Sequence, residues 1–462
     1  MPTRRTFLQS LAAPLLAQPD RLIIVDSTTG KSLSARVLAR DSSGNDYIPE
    51  GAVEVPISRD RWFVCNTPID LPDRAFNFRV EHGTEYRPVK STSAHIALER
   101  WIDMHRLGYS CGENHLHVPA GPLASMMDAE GLDFGASLQW WNGPKLEPHP
   151  NPRISVFDAE VENPWGAVYL NGLREPLSIP WDPKRSNLPF VREARRQGAL
   201  IAYQGGWSRE VLLDALLGYV DVVNICNNNF HRYRYQPRSQ NSNLLDVPGF
   251  PDYPGTAEGM MLLNMESYYR LLNCGLRLAA GAESATGAKT TPAGYNRAYV
   301  HAGRNPTIQK FREAWRSGRN FVTNGPMIFL VVNGFHIKAT AVSDQPLRSL
   351  EVIVNGEVVA FGVSGIETTL GKGNYWVAAR ATAEDQFLTD TELAQYHSES
   401  GRGGERPTRI RFGHTSPVYI GGPVRIERSI QEARRMLDAF EKYARSEPEI
   451  RVALPIARAK LG

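Results

Sequence analysis

The sequence predicts a multidomain α/β and β protein in which a central β/α region, a barrel or a parallel sheet, is flanked by two β-sandwiches. Three observations carry that class. At 462 residues the chain is too long for one hydrophobic core, so two to four domains are expected. Short runs alternating apolar and polar residues, the period of a half-buried strand, occupy both flanks. Between them strands and amphipathic helices take turns, which is the rhythm of βαβ units.

Residues 1–19 read as an export signal. Arg4 and Arg5 precede Thr6, Phe7 and Leu8, and a short apolar run ends at Ala17. A charged start, an apolar middle too short to span a bilayer and a small residue near the cut fit the twin-arginine route, which predicts a periplasmic or secreted protein. The alternative is an amphipathic N-terminal helix. Losing both arginines takes the formal charge from +3 to +1, because the leader contains no other charged side chain.

Residues 20–92 contain RLIIVD, SLSARVLAR, AVEVPI, RWFVC and AFNFRVEH with turn residues between them, and predict a small antiparallel sandwich. Residues 93–325 supply strand LDFGASLQ, helix VREARRQ, strand ALIAY, helix REVLLDALLG, strand VDVVNIC, helix EGMMLLNMESYYRLLN stopped by Gly275, and strand LRLAAGAE. A short helix over 307–317 stops at Gly318. Residues 326–426 return to alternation in MIFLVVNG, SLEVIVNGEVV, YWVAARAT and PVYIGGPVRI, broken by a polar excursion over 385–407, and predict a second sandwich. Residues 427–462 form a helical extension. Ser429 and Glu432 make a capping box for a helix with Ile430, Ala433, Met436, Leu437 and Phe440 on one face, ended by Pro448.

Composition narrows the function. With 42% hydrophobic and 22% charged residues the chain is ordinary globular material, and 52 Lys+Arg against 49 Asp+Glu without a long basic run argues against nucleic acid as a partner. Beyond the leader no stretch reaches the roughly 18 apolar residues of a membrane span. Cys65, Cys111, Cys226 and Cys274 are scattered, with no CxxC or finger spacing, so they predict no metal cluster. Disulfide pairing among them stays open.

The strongest chemical signal is GENHLHVP at 112–119, where His115 and His117 lie two apart. Alternation along a strand points both imidazoles the same way, the spacing of a metal-ligand pair; ordinary polar strand positions are the other reading. In parallel α/β domains ligands collect beyond the C-terminal strand ends. Those ends carry His115 and His117, residues 139–142 with Trp140 and Trp141, Glu160 and Glu162, Gln204, residues 227–231 with Asn229 and His231, and Glu283. Such a set can hold one divalent ion, whereas no glycine-rich loop enters a helix and no GxSxG turn exists. The bland alternatives are solvated strand positions for Glu160 and Glu162, pairing of Glu283 with Arg277, a surface loop for His231 and core packing for Trp140 and Trp141. Segment 231–256 lacks periodicity and predicts a lid or binding loop, with arginines such as Arg232 suited to an anionic or polyhydroxylated substrate. His82, His149, His336 and His397 are expected to lie elsewhere.

Together RWIDMHRLGYSCGENHLHVP, DAEVENPWGAVYLNG, ICNNNFHRYRY, ESYYRLLNCGLRLAAGAESATG, GYNRAYVH and RSGRNFVTNGP resemble the CehA/McbA branch of metal-dependent hydrolases. That branch belongs to the PHP superfamily, named for polymerase and histidinol phosphatase domains. The likeness runs from about residue 20 to 426 and includes FGHTSPVYI at 412–420. It implies a PHP-like distorted β/α barrel, divalent metals at the strand ends, and hydrolysis of an ester, carbamate or phosphoester by metal-bound hydroxide.

The carry-over is partial. The family's HxH falls on His115 and His117, and its bridging carboxylate on Glu160. A histidine usually seven residues later is Ala167, the Thr-Asp-His strand end is Leu138, Gln139 and Trp140, and a later histidine is Gln204. The final Asp-x-His reads Glu283, Ser284 and Ala285. The resemblance therefore implies about one ion per chain, zinc, manganese or iron. His115, His117 and Glu160 would be its ligands, Glu283 a fourth candidate, and Glu113 a hydrogen-bond partner for a ligand imidazole. His231 becomes a further ligand or a proton donor, and Trp140, Trp141, Gln204, Asn229 and Arg232 the substrate contacts. Two functions are compatible with this pattern: an exported metal-dependent hydrolase acting on a small or carbohydrate-like molecule, and a catalytically degenerate protein that binds a carbohydrate or envelope partner without turnover.

Overall fold

The structure, a computed structural model, describes residues 21–55, 60–66, 68–230, 256–289, 291–384, 410–444 and 447–462. Strand outweighs helix, 39% against 22%, so stacked sheets set the architecture of a mixed α/β and β chain.

The first module is two facing sheets. One is built on Ala35–Asp41 paired antiparallel with Phe76–Glu81 and Trp62–Cys65; the other sets Arg21–Asp26 between Ile69–Asp70 and His95–Leu98. Alternation in RLIIVD sends Leu22 and Ile24 into a core with Val37, Phe63 and Phe78. One feature departs from the sequence expectation. Arg21–Asp26 pairs in parallel with His95–Leu98, so the module is not wholly antiparallel and its sheet extends past residue 92. Arg36, buried, ties this module to the centre by bridging Glu81 at 2.8 Å and Glu130 at 2.5 Å.

The central region contains a six-stranded sheet in the order Trp140–Trp141, Phe157–Asn163, Gly166–Leu173, Leu200–Tyr203, Val222–Cys226, Ala279–Ala282. Its last three strands are parallel. Helices Leu188–Gln197, Val211–Leu217 and Ala257–Leu272 fall where the helical patterns were read. Two elements lie outside that rhythm: helix Ala120–Ala129, and the antiparallel hairpin of Phe157–Asn163 with Gly166–Leu173. The helix 307–317 expected from sequence is Ile308–Arg316, with the Thr307 hydroxyl accepting Lys310 N–H at the cap.

A nine-stranded sheet runs Phe134–Ser137, Tyr109–Leu116, Arg297–His301, Asn320–Thr323, Arg411–Thr415, Tyr375–Ala383, Leu347–Val354, Glu357–Gly362, with Val418–Ile420 added beside Tyr375–Ala383. The segments on either side of residue 326 thus share one sheet. A three-stranded sheet of Met327–Asn333, His336–Val342 and Gly365–Thr369 faces its far half, and Ile328, Ile337, Val352 and Val377 fill the space between. The two central sheets meet beside His115 and His117. Leu116 and Thr286 form a parallel bridge, His117 N–H donates to Thr286 O at 2.8 Å, and Ala285 N–H donates to His115 O at 3.0 Å.

The C-terminal extension is two helices, Glu427–Ala444 and Pro448–Leu461. Ser429 lies inside the first turn rather than capping it. Pro448 opens a second helix instead of closing the chain's last one, because at the first helical position its missing N–H would have had no partner anyway. Phe440 packs edge-on to Trp165 at 5.7 Å, and Glu447 accepts Ser186 N–H at 2.7 Å, which welds the extension to the central core. All four cysteines are buried and free. Among the described residues no helix is long and apolar enough to cross a membrane. Residues 1–20, 231–255 and 385–409 lie outside the described residues, and with them the leader, His231, Arg232, most of the expected binding loop and the polar excursion.

Candidate metal centre

His115 is the penultimate residue of the strand Tyr109–Leu116 and His117 lies just past its end, so strand alternation brings both imidazoles to one side. Their Nε2 atoms are 2.8 Å apart. Glu160 arrives from the hairpin, and its Oε2 lies 3.2 Å from each Nε2. His115 and Glu160 are only 2% and 3% exposed, while His117 is half-buried. Neither 3.2 Å approach has hydrogen-bond geometry, which leaves Glu160 Oε2 buried with no hydrogen-bond partner. A buried carboxylate oxygen in that condition needs positive charge beside it, which a protonated His115 at 3.2 Å supplies in metal-free protein and a bound ion would supply in its place.

The three donors fit a divalent ion. Two imidazole nitrogens and a carboxylate oxygen are the donor types that hold such an ion, and these three would be its ligands. The two 3.2 Å edges already approach the roughly 3.3 Å edge of a tetrahedral site, and only the 2.8 Å edge must widen, by roughly half an ångström. These three residues are the described His, Cys, Asp and Glu side chains that cluster as a metal site.

The surrounding backbone is set to hold them. Asn142, at φ 53°, clamps the hairpin: its N–H donates to Glu160 O at 3.2 Å, its Oδ1 accepts Glu162 N–H at 2.8 Å, and its Nδ2 donates to Glu162 O at 2.9 Å. Ala285, also at φ 53°, is the residue bonded to His115 O. A non-glycine residue in this region costs about 1 kcal/mol, and such positions gather at functional sites. The Asn142-Gly143 dipeptide is a readable turn signal; nothing in the sequence marks Ala285.

Electrostatics follow from burial and neighbours. Burial disfavours a charged His115, yet Glu160 and Glu283 outweigh it and push the imidazole up to about 10. Burial raises Glu160, but His115 and His117 hold it down at about 2. Burial, with the His115 charge beside it, lowers His117, and burial followed by the Glu160 charge raises Glu162.

The remaining expected residues divide. Glu283 is fully buried and meets His115 at Nδ1, the opposite ring nitrogen from the donor triangle, so it is not placed as a fourth donor to that point. Glu113 touches no imidazole; it accepts Ser284 N–H at 3.2 Å and Gly294 N–H at 2.5 Å, and burial raises its carboxyl to about 8. The hydrogen bond to a ligand imidazole expected of Glu113 is made by Glu283. Trp141 flanks His117, ring centroids 4.6 Å apart, and donates to Glu162 at 3.2 Å. Trp140 instead sits in the hydrophobic core against Phe190. Gln204 Nε2 donates to Asn228 Oδ1 at 3.3 Å, Asn229 N–H to Asn227 Oδ1 at 3.2 Å, and Asn228 N–H to Glu283 Oε1 at 3.4 Å. These amides therefore border the site through Glu283.

Other histidines lie apart: His82 Nδ1 donates to Ser34 O in the first module, and His336 sits beside Thr369 in the last. His397 is outside the described residues. Gln139 is used structurally, its Oε1 accepting Asp158 N–H at 2.6 Å. Sequence reasoning missed Tyr169, which is opposite Glu160 in the hairpin register and stacks on His115 at 4.2 Å. Compared with protein-family models, curated proteins and solved structures, the chain matches none.

Proposed function

We propose that the protein is an exported, metal-dependent hydrolase of the CehA/McbA type, built on a PHP-like distorted barrel, that cleaves a small-molecule ester, carbamate or phosphoester. The observation that carries this reading is the largely buried triangle of His115 Nε2, His117 Nε2 and Glu160 Oε2, whose carboxylate oxygen has no hydrogen-bond partner. The parallel run of Leu200–Tyr203, Val222–Cys226 and Ala279–Ala282 and the Leu116 to Thr286 bridge support the barrel part of it.

A divalent ion held by the three donors would acidify a water to a pKa of about 7 and polarise a carbonyl or phosphoryl oxygen. The chain's own residues do the rest. Glu160 supplies the negative charge that keeps the ion, Trp141 walls the half-exposed His117 side, and the amides of Gln204, Asn228 and Asn229 offer hydrogen bonds to a bound polar group. His231 would donate a proton to the leaving group, and Arg232 would contact the substrate. A panel of aryl esters, carbamates and phosphoesters assayed with zinc-, manganese- and iron-loaded protein tests the reading. Turnover that disappears with chelation is expected, and no turnover of any class with the loaded protein would contradict it.

A second reading, a ligand-binding protein without turnover, is favoured by Gln139, Ala167 and Gln204, which stand where the resembled family has further metal-binding groups. The same assay separates the two.

A further inference from the structure

We infer that Glu283 is a positioning residue for His115 and not a ligand of the ion, so that the protein supplies three donors to a single metal; the inference rests on the metal-centre reading above. The two nitrogens of an imidazole point away from each other, and Glu283 Oε2 bonds Nδ1 while the donor triangle is at Nε2. A neutral imidazole has one N–H and one lone pair. A carboxylate at Nδ1 takes the N–H there and leaves the Nε2 lone pair for a cation.

Glu283 has little freedom to do otherwise. Its Oε1 accepts Asn228 N–H at 3.4 Å, so both carboxylate oxygens face a donor. Its backbone is fixed as well, with N–H donating to Cys226 O at 3.0 Å and O accepting Asn296 Nδ2 at 2.8 Å. The His115 ring cannot easily swing toward a different partner, since Tyr169 stacks on its face and Ala285 holds its carbonyl. The Glu283 carboxylate is thus committed to orienting a ligand of the ion. It also links the ion to the Asn227, Asn228 and Asn229 loop at the edge of the site, through the Asn228 N–H.

The test compares wild type with Glu283→Gln by zinc titration calorimetry and by the visible spectrum of the cobalt-loaded protein. Glu283→Asp serves as a second variant if Gln fails to fold. A residue that acts through its ligand typically changes affinity 10- to 100-fold. Weakening of zinc by that factor is expected, with cobalt band positions and intensities unchanged because the donor set is the same. In metal-free protein, the Nδ1-bound proton of His115 should appear far downfield by NMR in wild type and move upfield in Glu283→Gln. Zinc affinity within twofold of wild type, or a cobalt spectrum showing one ligand lost, would overturn the inference while leaving the metal reading intact. Wild type that takes up no ion would overturn both.

Discussion

His115 Nε2 and His117 Nε2 face each other at 2.8 Å across a point that Glu160 Oε2 also approaches. Two imidazole nitrogens at that separation share either a proton or a cation. With His115 pushed up to about 10, the proton is bound at neutral pH in metal-free protein, and an ion must displace it.

Ion uptake should therefore release about one proton and strengthen roughly tenfold per pH unit between pH 6 and 8. Titration calorimetry in buffers of different ionisation enthalpy measures the release directly, and uptake independent of pH would contradict the shift. The same shift has a sign for stability. A histidine raised from 6.5 to about 10 stabilises metal-free protein fully below pH 6.5 and loses that contribution as pH rises through about 10. The thermal midpoint of metal-free protein should fall over that window.

Substituting one ligand and the candidate proton donor should give different patterns. His117→Ala should abolish both metal retention and hydrolysis, because two remaining donors cannot hold the ion against water. His231→Ala should keep the metal and lower turnover by roughly 10² to 10⁴, the usual contribution of a positioned proton donor. Metal analysis of both variants beside their kinetics checks this, and metal loss in the His231 variant would make it a ligand.

The neighbouring tryptophans should separate by burial. Trp140 is packed in the core against Phe190, so Trp140→Ala should destabilise by about 3–5 kcal/mol. Trp141 stands half-buried beside His117, so Trp141→Ala should cost less stability and show mainly as a raised KM. Denaturant melts and initial rates on the two variants distinguish the cases; equal stability losses would place both rings in the core.

Ala285 offers a backbone test. At φ 53° and buried, it should tolerate Ala285→Gly with a change of roughly 0.5 kcal/mol or less. Ala285→Val should cost about 1–3 kcal/mol, since branching at Cβ is poorly accommodated in that region. Chemical denaturation reads both, and a harmless valine would remove the argument that the backbone here is constrained.

How far the site could be read from residues depends on which physical signal each residue carries. His115 and His117 were legible because a two-residue spacing in a strand admits one geometry. Glu160 was legible as a candidate carboxylate, but it was expected at a strand end and lies in the middle of Phe157–Asn163; the hairpin that delivers it was not legible, since its alternation lay inside an expected βαβ rhythm. The exchange of roles between Glu113 and Glu283 has a local cause. Glu113 shares the alternation of His115 and His117, yet the register with Phe134–Ser137 shifts between Glu113 and Leu116, and Glu113 turns to the N–H groups of Ser284 and Gly294 instead. Glu283 is 168 residues from His115 in the chain, and no local pattern says which ring nitrogen it meets. At the C-terminus, Pro448 was read as a stop because proline both ends and begins helices, and only the Phe440 to Trp165 and Glu447 to Ser186 contacts decide between them.

The central claim is a single divalent ion held by His115, His117 and Glu160. Metal analysis of protein purified without chelators and reloaded with zinc, manganese or iron tests it most directly. About one tightly held ion per chain in wild type, and none in Glu160→Ala, is the expected result; no ion in wild type, or two or more, would contradict it.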